Sequence, residues 1–324
     1  MMTEKNQPKI LVTRKLTPAA EKRLRASYDI WWNQEDRQLS GKEIIDLSQG
    51  MDAVLPCVSD DLSAPIIEQL SSSIKIISTF SVGYDHINIE AASKRFIHVT
   101  NTPDVVTNAT ADIALLLLLG AARGATHGMQ SIQSDKWARW SPTGMLGTDL
   151  SGKTLGIFGM GRIGQATATR ARAFGMKIHY HNRTRLAPAE EANATYHENA
   201  ESLYAACDII SLHAASNDQT KGLINPRSLA HFKPGAILIN TARGDLVEDD
   251  ALISALQSGK LSAIGLDVYA NEPNIDPRYR SLQNAFLLPH LGTATLETRD
   301  AMGFRAIDNL DAFFASKPLP DPVN

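Results

Sequence analysis

Three side chains with complementary chemistry follow predicted strands in the second half of the chain. They are Arg243, Glu272 and His290. A protonated imidazole gives a proton to a carbonyl oxygen as negative charge develops there, and a carboxylate on its other nitrogen favours the imidazolium. A guanidinium holds a keto oxygen and a neighbouring carboxylate in position. Beside a nicotinamide site, such a set would predict carbonyl reduction by hydride transfer, although each residue alone is also typical of a surface cation, a polar loop or a helix start.

A glycine-rich turn lies between a predicted strand and a predicted helix, with the sequence Gly159-Met160-Gly161-Arg162-Ile163-Gly164. The first glycine permits a tight turn, the second lets the backbone approach a pyrophosphate, and the third allows close packing of helix against strand. The phosphates would face the helix N-terminus, where backbone amides favour anions. In this context the motif predicts a dinucleotide site, and a turn without a ligand is the alternative.

The segment about twenty positions after the glycines indicates which cofactor is used, because it normally carries an Asp or Glu that binds the ribose 2′-hydroxyl. Here it reads His181-Asn182-Arg183-Thr184-Arg185, with two guanidinium groups and no carboxylate. Arg183 and Arg185 are suited to charge-assisted pairs with a 2′-phosphate, so the segment favours NADPH over NADH. Two solvated surface arginines are the alternative.

The sequence indicates no metal site. His179 and His181 lie two apart on a predicted strand, but no third ligand accompanies them at a recognisable spacing. Cys57 and Cys207 are the only cysteines and lie outside any CxxC pattern. We expect them to be buried free thiols, and neither a disulfide framework nor a structural zinc site.

Strands that alternate with helices along the whole chain position these residues. Such alternation is typical of parallel strands joined by right-handed crossovers. We predict an α/β protein with two doubly wound parallel-sheet domains. A flavodoxin-like substrate domain comprises residues 1–100 plus 291–324, and a Rossmann NADP-binding domain comprises residues 101–290. The expected strands are 9–13, 28–32, 52–56, 74–78 and 96–100 in the first, and 155–158, 176–180, 208–212, 236–240, 263–266 and 285–288 in the second.

The segment between the two sheets has its own pattern. An apolar helix is predicted over about 105–123, after the linker Asn101-Thr102-Pro103. Residues 126–152, the arm, then contain Gly, Ser and Pro with Trp137 and Trp140 and show no clean period, which indicates an ordered excursion outside the core. The final helix, about 297–315, is expected to return and pack on the first domain.

Composition and charge exclude several classes of protein. The chain has 324 residues, of which 43% are hydrophobic and 21% charged, as is ordinary for a globular protein of two domains. A formal net charge of −3 is too balanced for general attraction to nucleic acid. The N-terminus lacks a signal-peptide pattern, and the apolar run 113–122 is about half the length that crosses a bilayer. We expect a cytoplasmic protein without nucleic-acid or membrane partners.

Several segments spread over nearly the whole chain form one pattern: Phe80–Ile87, Asn101–Asp104, Gly159–Tyr180, Thr241–Gly244, Gly265–Val268, Asn271–Pro273 and Pro289–Gly292. Together they resemble the D-isomer-specific 2-hydroxyacid dehydrogenases. Within that family, residues 137–142 (WARWSP) and 180–185 (YHNRTR) are most similar to the glyoxylate/hydroxypyruvate reductases.

The resemblance implies a role for each candidate residue. The family's catalytic Arg, Glu and His match Arg243, Glu272 and His290, which would contact the substrate together with the backbone amides of Val82 and Gly83. It implies cofactor contacts by Thr110, Arg162, Ile163, Asn182, Arg183, Thr184, Thr241 and Asp267, the last near the carboxamide. Gly159, Gly161, Gly164 and Arg185 complete the expected cofactor site.

The implied reaction is NADPH-dependent reduction of a small 2-oxo acid, glyoxylate to glycolate or hydroxypyruvate to D-glycerate. The resemblance also implies a homodimer in which the arm embraces the neighbouring nucleotide domain and Trp140 reaches the partner's substrate pocket. Packing of Trp140 in the dimer alone is the alternative.

Three rival functions stay open at this point. Phosphoglycerate dehydrogenase is disfavoured, because many members carry an additional C-terminal domain and only 34 residues follow His290. Formate dehydrogenases of the same superfamily need no general acid. A nucleotide-sensing scaffold, similar to transcriptional corepressors, is the rival from a different class.

Overall fold

The computed structural model describes residues 7–324, which form two units. One unit comprises residues 7–106 together with Ala294–Asn324, and the other is Thr107–Thr293. Each limit lies a few residues after the one expected from the sequence. The assignment of substrate binding to one unit and nucleotide binding to the other stays a prediction.

The first unit contains a sheet of five parallel strands in the order β2-β1-β3-β4-β5, which is the flavodoxin-like order. All five lie where the sequence predicts strands, and they are β1 (Lys9–Val12), β2 (Asp29–Trp32), β3 (Ala53–Leu55), β4 (Ile76–Ser78) and β5 (His98–Thr100). The helices between them are α1 (Pro18–Ser27), α2 (Gly41–Leu47), α3 (Ala64–Gln69) and α4 (Ile89–Lys94).

The second unit contains a sheet of seven parallel strands in the order β12-β11-β10-β9-β6-β7-β8. They are β6 (Thr154–Phe158), β7 (Lys177–His181), β8 (Thr195–Tyr196), β9 (Ile209–Leu212), β10 (Ala236–Asn240), β11 (Leu261–Leu266) and β12 (Ala285–Leu287). The six expected strands are present. The additional one, β8, has two residues at the sheet edge, too few for a periodic pattern to reveal it.

Seven α-helices of the second unit connect or flank its strands. They are α5 (Thr107–Ala122), α6 (Ala125–Gln133), α7 (Arg162–Ala173), α8 (Pro188–Glu191), α9 (Ala200–Ala206), α10 (Pro226–Ala230) and α11 (Asp249–Gln257). Short 3₁₀ helices lie at Gly244–Leu246, between β10 and α11, and at Pro277–Ser281, between β11 and β12. Every residue of β9 and β10 is buried, as parallel strands covered by helices on both faces require.

The helix α5 explains the most apolar run of the sequence. Its residues Ala114, Leu117 and Leu118 are buried, and the helix packs against β10, β11 and β12. Among the described residues, no single helix is long and apolar enough to cross a membrane. The pair α5 and α6, bent by 70° where they meet, has sufficient length and apolar composition only when the two helices are taken together.

The last helix, α12 (Leu296–Phe314), belongs to the first unit and packs against α1 and β4. The Thr295 side chain caps its N-terminus by accepting from the Thr298 amide at 3.1 Å. Ser78 Oγ of β4 donates to the carbonyl of Ala306 at 2.9 Å. The returning helix therefore covers the sheet of the unit in which the chain begins.

The arm begins with a helix that was not expected from the sequence, since α6 occupies Ala125–Gln133. Its apolar residues Ala125, Met129 and Ile132 recur at the i, i+4 and i+7 spacing of a helix, so the signal was present in the sequence but short. Large apolar side chains project from α6 and from the rest of the arm, and they are Met129, Ile132, Trp137, Trp140, Met145 and Leu146. Trp140 is the most exposed of them, at 77%.

Candidate active site

Three neighbouring strands of the second unit deliver the candidate catalytic residues to one edge of the sheet. Arg243 follows β10, Glu272 lies in the loop after β11, and His290 lies in the loop after β12. Because these strands are parallel and adjacent, their carboxyl ends meet at the same edge, where open α/β sheets bind ligands.

His290 and Glu272 form a hydrogen-bonded pair. His290 Nδ1 lies 2.7 Å from Glu272 Oε2, and the side chains are 34% and 32% exposed. The second carboxylate oxygen, Oε1, accepts from the Tyr269 amide at 2.8 Å. Glu272 is thus fixed by its own loop, and it orients the imidazole so that Nε2 is the nitrogen left for a proton transfer.

The surroundings of Glu272 favour its charged form. Burial by itself raises the pKa of this carboxyl group, but the hydrogen bond and charge of His290, the Tyr269 amide and the charge of Arg243 together lower it below its ordinary value. The carboxylate is consequently negative at neutral pH and stabilises positive charge on the imidazole.

His290 has a backbone conformation that few side chains adopt. Its φ is 56°, in the left-handed region. Non-glycine residues in this conformation are strained and persist only where the surrounding structure holds them. They cluster at active sites. Here the surroundings are the loop that Asp267 holds in place.

Asp267 anchors the loop that carries His290. It is 1% exposed, and it accepts from the amides of Leu291 at 2.6 Å and Gly292 at 2.7 Å. Thr110 Oγ1 donates to the Gly292 carbonyl at 3.3 Å. Burial raises the pKa of Asp267, against the effect of the two amides and His290. Two expected cofactor contacts, Thr110 and Asp267, therefore bond to this loop, and the sequence did not reveal the anchoring role of Asp267.

Arg243 is positioned by the close packing of the next residue, Gly244, against the loop of Glu272. A β-carbon on Gly244 would collide with the backbone of Tyr269 and Ala270, so only glycine lets the segment after β10 approach the loop of Glu272. Asn240 Nδ2 donates to the Arg243 carbonyl at 2.8 Å. The guanidinium Nη1 donates to the Ala242 carbonyl at 2.8 Å.

The glycine-rich turn has the geometry that its sequence predicts. Gly159 has a φ of 96°, and a β-carbon there would lie 2.7 Å from the Ala214 nitrogen. At Gly161, the N-cap of α7, an added β-carbon would meet no atom of the described residues within 4 Å. At Gly164 it would lie 2.5 Å from the Gly159 carbonyl. The turn is therefore tight at both ends and open at the helix N-terminus.

The segment after β7 is anchored to the glycine-rich turn, because Asn182 Oδ1 accepts from the Met160 amide at 2.6 Å. Arg183 and Thr184 are exposed. Arg185, expected beside Arg183 on a 2′-phosphate, instead donates from Nε and Nη2 to the carboxylate of Glu191 at 2.7 and 3.2 Å. Arg162 and Ile163 form the first turn of α7.

In the first unit, the loop at Val82 and Gly83 offers unbonded amides. The carbonyl of Val82 accepts from Asn101 Nδ2 at 2.8 Å, and the carbonyl of Gly83 accepts from Ser81 Oγ at 2.7 Å. Neither amide donates to an acceptor within residues 7–324. Two free backbone donors in sequence are suited to a carboxylate.

His213, which was not expected from the sequence, lies just beyond β9 at the same sheet edge. Its Nε2 is 2.8 Å from Ser211 Oγ, and its Nδ1 is 3.5 Å from the hydroxyl of Thr241, an expected cofactor contact. Burial lowers the pKa of His213 to about 4. Its position at the end of a predicted strand was the available signal.

The expected histidine pair has a partner that the sequence did not indicate. His179 Nδ1 lies 2.9 Å from His197 Nε2, and His181 Nδ1 lies 2.9 Å from the His197 carbonyl. Over the described part of the chain, no group of three or more His, Cys, Asp or Glu is placed to hold a metal. Cys57 and Cys207 are free; Cys207 is buried and Cys57 half-buried.

Comparison with known proteins identifies the family. Residues 115–292 match the model of the D-isomer specific 2-hydroxyacid dehydrogenase, NAD binding domain. A relative 41% identical is similar over 97% of the chain. The chain belongs to the D-isomer-specific 2-hydroxyacid dehydrogenase family. It is an oxidoreductase, and its second unit contains the NAD(P)-binding domain.

Relatives of this dehydrogenase are similar over nearly their whole length. The 41% identical relative is glycerate dehydrogenase from Hyphomicrobium methylovorum, 98% of which is covered. Glyoxylate reductase from Thermococcus litoralis is 40% identical, over 98% of this chain and 97% of its own. A crystal structure of NADPH-dependent glyoxylate/hydroxypyruvate reductase from Sinorhizobium meliloti, in complex with NADP and malonate, has a TM-score of 0.87 and 33% identity, and covers 98% of this chain and 97% of that chain.

The anchoring role of Asp267 is testable with Asp267→Asn in the dehydrogenase. One amide of the His290 loop loses its charged acceptor, so we expect kcat to fall about tenfold or more, the scale of one charge-assisted hydrogen bond. Asp208→Asn is the matched control, because Asp208 accepts from the Thr154 amide at 2.9 Å at the opposite sheet edge. The control should lose stability and keep kcat. Equal kcat losses in both variants would contradict the anchoring role, and a change confined to cofactor KM would make Asp267 a cofactor ligand only.

Proposed function

We propose that the protein reduces a small 2-oxo acid, glyoxylate or hydroxypyruvate, with NADPH, and that His290 is the general acid. The product has D configuration where a stereocentre results. The observation that carries the proposal is the 2.7 Å pair of His290 and Glu272 at the sheet edge of a dinucleotide-binding domain. The names of the relatives, glyoxylate reductase and glycerate dehydrogenase, support the substrate class.

The glycine-rich turn fits the cofactor. A pyrophosphate needs close backbone approach and the amides of a helix N-terminus, and the open position at Gly161 before α7 provides both. Thr110, Thr241 and Asp267 are proposed cofactor contacts, the last near the carboxamide. When bound, the cofactor supplies the hydride. Substrate binding, orientation and proton transfer are assigned to side chains and backbone amides of this chain.

The proposed proton donor is Nε2 of His290, because Nδ1 is engaged by Glu272. As the keto oxygen of the substrate gains negative charge, the imidazolium gives it a proton, and Glu272 stabilises the charged ring before the transfer. Arg243 holds the keto oxygen and carboxylate in orientation through two parallel donors. The amides of Val82 and Gly83 bind the substrate carboxylate.

The preference for NADPH is proposed from residues 181–185. The segment offers Arg183 and no carboxylate at the place where an acidic side chain selects the ribose 2′-hydroxyl. The NADP-bound reductase from Sinorhizobium meliloti supports this choice.

A substrate panel tests the reaction directly. Oxidation of NADPH is followed with glyoxylate, hydroxypyruvate, pyruvate and 3-phosphohydroxypyruvate, and we expect turnover with the first two to be fastest. Preference for 3-phosphohydroxypyruvate would identify a phosphoglycerate dehydrogenase. Absence of turnover with every oxo acid would favour a nucleotide-sensing scaffold and contradict the proposal.

Removal of the general acid should separate chemistry from binding. We expect His290→Ala to lower kcat for reduction on the order of a hundredfold or more, the usual scale for such a group, while NADPH affinity is retained. His231→Ala is the matched control, since His231 is exposed at the end of α10. Wild-type kcat in the His290 variant would rule out its role.

The Glu272 carboxylate should affect the pH dependence of kcat/KM. Reduction needs the protonated ring, so kcat/KM declines at high pH, and without a neighbouring carboxylate the protonated form is less favoured. In Glu272→Gln we therefore expect the basic limb to move to lower pH. An unchanged pH profile would remove Glu272 from the mechanism.

The arm is proposed to join two subunits in a homodimer. Trp140 and Trp137 line a cavity of about 380 Å³ on the arm with Ile132 and Met145, and both indoles are largely exposed. An apolar surface of this kind is typical of an interface. In the dimer, Trp140 would reach the partner's substrate pocket and narrow it for small oxo acids.

Trp140→Ala tests the role in the pocket. We expect the variant to stay dimeric by sedimentation, to raise KM for hydroxypyruvate and to leave KM for NADPH unchanged. Trp137→Ala is the matched control, because the resemblance assigns the pocket to Trp140. A monomeric Trp140 variant, or a dimer with wild-type kinetics, would contradict the pocket role.

A further inference from the structure

The loop between β7 and α8, residues 182–187, contains an ion pair that was not expected from the sequence. Arg185 Nε and Nη2 donate to the two oxygens of Glu191 at 2.7 and 3.2 Å. The hydroxyl of Tyr180 donates to the same carboxylate at 2.6 Å. Tyr180 is fully buried and the Glu191 side chain is 11% exposed, whereas Arg185 is 61% exposed. Glu191 is therefore held from inside the domain and receives Arg185 from outside.

The same network fixes the end of the loop. The amide of Leu186 donates to the Tyr180 hydroxyl at 3.1 Å, and the Arg185 guanidinium lies 5.4 Å from the ring centre of Tyr196. At the beginning of the loop, Asn182 is anchored to the glycine-rich turn through the Met160 amide. Both ends of the loop are thus tied to the domain.

Arg183 is the cation left between these anchors. Within residues 7–324 its guanidinium forms no ion pair or hydrogen bond, and it is exposed. The positive charge of Arg185 is matched by Glu191, so the loop with its carboxylate carries one uncompensated positive charge and not two. A carboxylate without its counter-ion would repel a neighbouring phosphate.

We infer that Arg183 alone is the ligand of the cofactor 2′-phosphate, and that Arg185 acts without touching the cofactor, by neutralising the Glu191 carboxylate. This inference rests on the proposed preference for NADPH and deepens it. It assigns unlike roles to two arginines that sequence analysis treats alike. Glu191 becomes a determinant of cofactor selectivity without touching the cofactor.

The two roles predict different double-variant behaviour. Dissociation constants are measured for NADPH and NADH, and for 2′,5′-ADP and 5′-ADP, without any oxo acid. Arg183→Ala should weaken binding of the 2′-phosphorylated ligands on the order of ten- to a hundredfold, the worth of a charge-assisted hydrogen bond, and spare the others. Arg185→Ala should also weaken them, because Glu191 is left uncompensated.

The double variant Arg185→Ala/Glu191→Gln decides between the roles. If Arg185 only balances Glu191, removal of both charges should restore affinity for NADPH to within about threefold of the wild type, a non-additive result typical of paired residues. Glu191→Gln alone should strengthen NADPH binding, and Arg185→Lys should retain most of it. If the double variant stays as weak as Arg185→Ala, then Arg185 contacts the phosphate and the inference is wrong.

NADH binding and the melting temperature distinguish the inferred role of Arg185 from a purely structural one. Lys233→Ala breaks a comparable ion pair, 2.9 Å to Asp208, elsewhere in the domain and should leave selectivity unchanged. Losses in Arg185→Ala that are equal for NADPH and NADH and follow the melting temperature would overturn the inference.

Failure of the proposed function has a separate signature. A wild-type protein that binds NADPH and NADH equally would refute the cofactor preference, and the inference with it. Selective NADPH binding without turnover of any oxo acid would refute the reaction alone, and the binding measurements would still decide the role of Arg185.

Discussion

The two hydrogen bonds that Asp267 accepts from the His290 loop join the end of β11 to the segment after β12. Glu272 lies on the first of these segments and His290 on the second, so the same bonds fix the distance at which carboxylate and imidazole meet. A buried amide left without its acceptor costs about 1–3 kcal/mol. The candidate active site depends on this junction more than on any single strand.

The parallel direction of the strands brings the junction and the glycine-rich turn to one edge. The loops after β10, β11 and β12 carry Arg243, Glu272 and His290 in that order, and the turn after β6 lies two strands from β10. Such an arrangement separates the phosphates of a dinucleotide from the reacting carbon by a distance that the sheet itself sets.

Strands and motifs whose own residues form a recognisable pattern were predictable from the sequence. The buried strands were predictable from short β-branched runs, and the pairing of His290 with Glu272 from the ends of two strands. Contacts between residues of ordinary type were not predictable, because Glu191 resembles any acidic residue of a surface helix until Tyr180 and Arg185 are seen to bond to it. For the same reason the short strand β8 had no signal in the sequence.

The two imidazoles at this sheet edge, of His213 and His290, differ in their burial. His213, whose pKa of about 4 keeps it uncharged near neutrality, serves as a hydrogen-bonding group next to Thr241. His290, half-exposed and bonded to a carboxylate, is the ring that we propose exchanges a proton with the substrate. In the proposed reaction, proton supply therefore passes through one imidazole of this edge, and the buried imidazole of His213 takes no part in it.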